Sequence, residues 1–88
     1  MPTESQAELE VARFLAGSPS PEAIIAFRAS PAVAERMYDL IDRERAGQIS
    51  EDERSELDTY VYIEHLMRLV KAEAYRKLGQ LATLPHRV

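Results

Sequence analysis

The corner between Gly47 and Ser50 constrains this chain most, because it joins two strong helical patterns through one stop signal and one start signal. Glycine is the usual residue just beyond a helix C-terminus, where it adopts a left-handed conformation without a steric penalty. Ser50 and Glu53 form the Ser-x-x-Glu capping box that is typical of a helix N-terminus. The sequence therefore predicts a helix over about residues 31–46 and a second helix that begins at residue 51.

Two serine–proline pairs divide the chain before this corner. Serine is a preferred N-cap and proline fits the first helical position, so Ser20-Pro21 and Ser30-Pro31 each predict a helix start. They give a short helix over about 21–28, followed directly by the helix that leads to the corner. Nearer the N-terminus, apolar residues recur with a helical period and predict a first helix over 1–17, with Gly17 left-handed at its end.

The segment from Glu51 to Leu78 predicts one long helix, roughly 40 Å in length at 1.5 Å per residue. Its apolar side chains recur at helical spacing, and Gly79 marks its expected end. We expect an all-α fold, a small helical bundle in which three short helices pack on one long C-terminal helix. A chain of 88 residues forms a single domain. Residues 1–3 and 80–88 are expected to be loosely ordered.

The composition limits the cellular setting and the kinds of site that are possible. The chain has no cysteine, which excludes a disulfide framework and a thiolate metal site. The N-terminal residues lack the basic and apolar regions of a signal peptide, and no apolar run is long enough to span a membrane. We therefore expect a cytoplasmic protein that does not associate with membranes.

Charge is distributed unevenly along the chain. Residues 35–59 carry nine acids and four bases, whereas residues 60–88 carry two acids and five bases. A helix-turn-helix interpretation of the corner fails on this pattern, because the would-be recognition helix opens with acids that repel phosphate groups. We expect no direct binding to nucleic acid.

The corner also has the spacing of a calcium-binding loop, in which oxygen ligands surround a central glycine, at Asp42, Glu44, Gly47, Ile49 and Glu53. Ala46 occupies a position where such a loop needs a side-chain oxygen. The glycine stop and the serine capping box explain the same residues without a metal. We expect no metal and no cofactor. An EF-hand-like calcium module over 42–53, with ligands from Asp42, Glu44 and Glu53, is the alternative.

Patterns typical of catalysis are missing from the sequence. The two histidines, His65 and His86, are far apart and belong to no spaced set of metal ligands. No nucleophile motif and no glycine-rich phosphate loop occurs in the sequence. We therefore expect that the protein is not an enzyme.

Local signals follow one another through most of the chain: Ser-Pro-Glu at 20–22, Phe27-Arg28, Ser30-Pro31, the Gly47–Ser50 corner, Glu56-Leu57-Asp58 with Tyr60, and Lys71-Ala72-Glu73-Ala74. With these signals, the span from Ser20 to Leu78 resembles a group of small, largely uncharacterised bacterial helical proteins. They look like the antitoxins or accessory partners of toxin or nuclease systems. The resemblance implies a protein that binds and neutralises or regulates a toxin or nuclease, and it implies no catalytic residue.

The apolar arc of the long helix is wider than three short helices need, so part of it is expected to meet another molecule. In the antitoxin-like interpretation, the long helix and the tail cover the toxin, and acids within 51–58 face a basic surface. The contact candidates are Tyr62, His65, Leu66, Leu69 and Arg76. A homodimeric structural or scaffold protein is the alternative, with its interface at Ile63, Met67 and Val70.

Overall fold

Four α-helices make up the described part of the chain, which in this computed structural model is residues 5–83, with side chains to residue 80. They are α1 (Gln6–Ala16), α2 (Pro21–Ala26), α3 (Pro31–Arg45) and α4 (Glu51–Thr83). No strand occurs between residues 5 and 83, and each of the three shorter helices contacts α4. The predicted all-α bundle of three short helices on one long helix is confirmed.

Serine caps begin three helices at the places that the sequence predicts. The hydroxyls of Ser20, Ser30 and Ser50 accept hydrogen bonds from the backbone N–H groups three residues further on, at 3.1, 3.3 and 3.1 Å. The Glu53 carboxylate accepts from the Ser50 N–H at 2.9 Å and completes the capping box. Gly47 has φ 70°, so it is the left-handed residue that ends α3. Both halves of the predicted corner are therefore present.

Both ends of α1 differ from the prediction. A second capping box, between Ser5 and Glu8, begins the helix at Gln6. At the other end Gly17 has φ −80°, and Ser18 takes the left-handed conformation at φ 53°. The prediction for Gly17 is wrong: the Ser18 N–H also bonds three residues back, to Leu15, so the tight turn continues for one more residue and the reversal comes at Ser18.

The long helix α4 extends beyond its predicted end, because it passes through Gly79 and continues to Thr83. One glycine costs a helix only about 1 kcal/mol relative to alanine, and no proline interrupts the chain before Pro85. Residues 80–83 are therefore helical rather than loosely ordered. The expectations for residues 1–3 and for 84–88 lie outside the described residues.

The link between α2 and α3 is extended from Phe27 onward, with ψ 135° at that residue, so α2 ends two residues before its predicted end. The Phe27 ring packs on Phe14 of α1, with ring centroids 4.5 Å apart. Its carbonyl oxygen accepts hydrogen bonds from Arg28 Nη1 and Lys71 Nζ, both at 2.9 Å. This link therefore touches both α1 and α4.

The core lies where α1 and α3 meet the first half of α4. It contains Ala7 from α1, Val33 and Leu40 from α3, and Leu57 and Tyr60 from α4. Leu40 is fully buried, at 0% exposure. The core is surrounded by half-buried apolar side chains, which are Met37, Ile41, Ile49 and Ile63.

A bidentate ion pair joins α3 to α4 at the edge of this core. Arg36 Nε and Nη2 donate to the Glu56 carboxylate, each at 2.8 Å, and the Tyr60 hydroxyl donates to the same carboxylate at 2.9 Å. The hydrogen bonds from Arg36 hold the pKa of Glu56 below its usual value. Burial, with the Glu56 charge added, raises the pKa of Tyr60 to about 12. This pair has no local sequence signal, because its partners are 20 residues apart.

Two further ion pairs cross the corner in opposite directions. Arg43 of α3 pairs with Glu53 of α4 at 3.0 Å, and Arg54 of α4 pairs with Glu44 of α3 at 3.0 Å. Exposed pairs of this kind each contribute little to stability, but both join a residue before Gly47 to a residue after it. Together with the capping box, they set the direction in which α4 leaves the corner.

Candidate functional site

Five predicted contact residues lie on the side of α4 that the shorter helices leave open. We call them the outer face, defined as Tyr62, His65, Leu66, Leu69 and Arg76. Residues three, four and seven positions apart share one side of a helix, which brings these side chains together. Tyr62, Leu66 and Leu69 are 64, 38 and 53% exposed, and His65 and Arg76 are also exposed. The outer face is thus an apolar stripe without cover among residues 5–83.

The alternative dimer residues lie on the other side of α4. Ile63 packs against the core, and Val70 is half-buried beside α2. Met67 is only 6% exposed, because this chain's own packing covers it. The structure therefore corrects the choice of Met67 as a contact with a second copy, and leaves the outer face as the open side of α4.

A groove extends the outer face toward α2. It has a volume of about 390 Å³ and runs between α4 and the first turn of α2, together with the residues just before it. Leu69 lines it on the α4 side, and Pro19, Pro21 and Ile24 line the opposite side. The sequence analysis did not include these three residues, because only the packing of α2 on α4 places them beside Leu69.

Charge changes sign along the same side of α4. Glu51 and Asp58 are exposed and continue the outer face toward the N-terminus at heptad spacing, while Arg76 lies at its other end. Of the other three acids that were predicted to face a basic partner, Glu53 and Glu56 pair with arginines of α3, and Asp52 is exposed in the first turn of α4. This side of α4 is therefore acidic toward its N-terminus and apolar in the middle, and at the other end Arg76 pairs with Glu73 at 2.8 Å.

The proposed calcium ligands have other roles in the structure. Asp42 and Glu44 belong to the last turn of α3 rather than to a loop. The Glu44 carboxylate pairs with Arg54, and that of Glu53 accepts from the Ser50 N–H and from Arg43. The Ser50 N–H holds the pKa of Glu53 below its usual value. Within residues 5–83, no three acidic, histidine or cysteine side chains meet in a group that could hold a metal ion. The calcium alternative is thus contradicted by the geometry of the corner.

A cavity of about 190 Å³ lies beneath the α2–α3 link, between α1, α3 and α4. Its wall is mostly apolar and includes Val11, Phe27, Met37, Ile63 and Met67. Four charged residues also line it: Glu10, Arg28, Glu64 and Lys71. Sequence reasoning missed this cavity because its residues come from four separate parts of the chain.

The two acids of the cavity are already bonded within the protein. Both oxygens of Glu10 accept from Ser30, one from its N–H and one from its hydroxyl. The Ser30 hydroxyl lowers the pKa of Glu10 most, so the carboxylate stays ionised. Glu64 pairs with Arg68 on the surface of α4.

The two cations of the cavity are bonded only to backbone carbonyls. Lys71 donates to the carbonyl of Phe27, and Arg28 donates to the same carbonyl and to that of Ile25. In the described part of the chain, neither cation forms an ion pair with a carboxylate. Burial, followed by repulsion from Arg28, lowers the pKa of Lys71. Two neighbouring cations that have no described carboxylate as an ion-pair partner therefore lie at the edge of the cavity, and the ionised Glu10 lines the same cavity.

We compared the chain with known protein families, curated proteins and solved structures. The chain matches no protein-family model, no curated protein sequence and no solved structure. Within the described residues, no helix has both the length and the apolar character needed to cross a membrane.

Proposed function

We propose that this protein binds another protein through the outer face of α4 and acts as the antitoxin-like partner of a toxin or nuclease. The exposure of Tyr62, Leu66 and Leu69 on one side of the helix is the observation that supports this proposal most. A contiguous apolar patch of this kind is typical of a protein interaction site, and an amphipathic helix with an i, i+4, i+7 set of anchors suits a groove on a partner. In this proposal the protein neutralises or regulates its partner by covering it and performs no catalysis itself.

Two exposed acids beside the outer face support a basic partner. Glu51 and Asp58 are exposed and lie on the same side of α4 as the apolar anchors. Nucleases and other enzymes that act on nucleic acid present basic surfaces, and complementary charge raises the rate of association and excludes wrong partners. Binding is therefore expected to weaken as salt concentration rises.

Co-purification from the native host tests this proposal with two matched variants. The outer-face variant carries Tyr62→Ser, Leu66→Ser and Leu69→Ser. The flank control carries Leu15→Ser, Tyr38→Ser and Tyr75→Ser, at side chains that are 39, 68 and 62% exposed but lie off the outer face. Substitutions at exposed positions usually change stability by less than about 0.5 kcal/mol each, so both variants should fold.

We expect the wild type and the flank control to retain the same partner, identified by mass spectrometry as the product of the adjacent gene, and the outer-face variant to lose it. The protein can also be purified from a strain that lacks the adjacent gene. The proposal fails if that preparation is soluble and monodisperse and contains the same co-purifying proteins as the preparation from the parent strain. It also fails if the outer-face variant and the flank control retain the partner equally.

A homodimer is the second candidate, because Asp58 and Arg76 lie at opposite ends of the apolar anchors. If two copies pair antiparallel through the outer face, Asp58 of each comes near Arg76 of the other, which also pairs with Glu73 of its own helix, and the apolar anchors lie between them. Such a two-fold interface is self-complementary. Light scattering on the pure protein tests it: a dimer that the outer-face variant converts to a monomer supports this candidate, and a strictly monomeric wild type contradicts it.

A further inference from the structure

We infer that the cavity beneath the α2–α3 link binds a small apolar carboxylate, about the size of benzoate or a short-chain fatty acid. The inference is independent of the proposed function, because the cavity lies on the inner side of α4, opposite the outer face. It depends on three observations: the volume of the cavity, its apolar wall, and two neighbouring cations at its edge that form no ion pair with the residues that the structure describes.

The volume and the wall determine the size and polarity of the ligand. The cavity holds about 190 Å³. An apolar cavity of ~150 Å³ in another protein accommodates one benzene molecule, so this one has room for a single ring or a short chain. Phe27, Met37 and Met67 line it, and methionine side chains adapt to the shape of an apolar guest. A large ligand is excluded by this volume.

The charges at the edge of the cavity determine the polar group of the ligand. Lys71 Nζ and Arg28 Nη1 are both 2.9 Å from the Phe27 carbonyl oxygen, so the two cations are close neighbours. An ammonium has three donors and a guanidinium has five, which leaves donors of both groups for a further acceptor. A carboxylate placed there would relieve the repulsion between the cations and accept charge-assisted hydrogen bonds.

The two acids that line the cavity do not change its preference for a carboxylate ligand. Glu10 stays ionised, but both of its oxygens already accept hydrogen bonds from Ser30, and Glu64 is paired with Arg68. Each acid therefore has its own partners, whereas the cations have only carbonyl oxygens. For this reason we commit to an anionic ligand rather than to an amine.

Three probes of nearly equal shape test the inference: benzoate, benzyl alcohol and benzylamine. They are titrated into the full-length protein at neutral pH while the methyl signals of the methionines and leucines are followed by NMR. We expect benzoate to shift the signals of Met37 and Met67, with a dissociation constant of about 1 mM or tighter, and to bind at least about tenfold more tightly than the alcohol. Benzylamine should bind most weakly, and the signals of Leu66 and Leu69 on the outer face should stay in place.

Two variants separate the charge from the cavity. With Arg28→Met and Lys71→Met together, benzoate should bind no better than benzyl alcohol, while the alcohol binds as it does to the wild type. The conservative Lys71→Arg variant should keep the preference for benzoate, and circular dichroism checks that each variant is folded. If the double variant does not fold, the ranking of the wild-type affinities for the three probes tests the inference. The inference is overturned if the alcohol or the amine binds as tightly as benzoate, or if no probe shifts the Met37 and Met67 signals.

Discussion

The ion pair between Arg36 and Glu56 gives the sharpest test of how α3 and α4 are held together. Glu56→Gln removes the charge but keeps the shape of the side chain. Loss of one partner costs about 3–5 kcal/mol for a fully buried pair and about 0–1 kcal/mol for an exposed one. The side chains of Arg36 and Glu56 are 38 and 28% exposed, and the pair is bidentate with Tyr60 as a third partner. After allowance for solvent screening, we expect the substitution to lower the free energy of unfolding by about 1–2 kcal/mol.

The control for this experiment is Glu64→Gln on the same helix. Glu64 also pairs with an arginine, but its side chain is 46% exposed and that of Arg68 is 72% exposed. We expect it to change stability by less than about 0.5 kcal/mol. Urea unfolding of the three proteins, followed by circular dichroism, measures the difference.

The stability that the Glu56 carboxylate contributes falls as the pH is lowered. Because the pKa of Glu56 is lowered in the folded protein, its stabilisation is complete above the unfolded value of about 4.3 and is lost as pH falls through the lower folded value. The gap in stability between the wild type and Glu56→Gln should therefore close as the solution is acidified below about pH 4. If Glu56→Gln costs no more than Glu64→Gln at neutral pH, or if the gap persists in acid, the assigned role of this pair is incorrect.

Two further predictions concern the core and the helix ends. Leu40→Ala should lower the free energy of unfolding by about 2–5 kcal/mol, since Leu40 is fully buried and the chain cannot fill the space; a loss below about 1 kcal/mol in the urea midpoint analysis would contradict this. Alanine should have opposite effects at two glycines. Gly47→Ala should lower stability by about 1 kcal/mol because φ is 70° there, whereas Gly79→Ala should raise helicity and stability by up to about 1 kcal/mol because a Cβ meets nothing within 4 Å. Melting curves of the two variants should therefore move in opposite directions from that of the wild type, and movement in the same direction would refute the helix ends described above.

Local signals in the sequence account for much of this fold. A serine N-cap or a left-handed glycine acts within one helical turn, so Ser20, Ser30, Gly47 and Ser50 are readable from neighbouring residues alone. The all-α bundle follows from those signals and from the apolar periodicity of the helices. The exposure of Tyr62, Leu66 and Leu69, by contrast, depends on which side of α4 the short helices cover.

Features that depend on distant residues were not readable in this way. The ion pair of Arg36 and Glu56 and the hydrogen bond from Lys71 to Phe27 join residues 20 and 44 positions apart. Neither partner has a local pattern that distinguishes it from an ordinary surface charge. The cavity and the groove beside Leu69 were missed for the same reason. The error at Gly17 has a different cause: one more hydrogen bond in the last turn of α1 moved the left-handed residue to Ser18.

The partner-binding proposal is tested most directly by calorimetric titration of the purified product of the adjacent gene into three proteins: the wild type, the outer-face variant and the flank control. Truncation of one central anchor usually costs at least about 1–2 kcal/mol of binding free energy, and 1.4 kcal/mol corresponds to a tenfold change in affinity. We predict that the flank control binds as tightly as the wild type and that the outer-face variant binds at least about tenfold more weakly. Equal affinity for all three proteins would contradict the assignment of the outer face of α4 as the interaction surface.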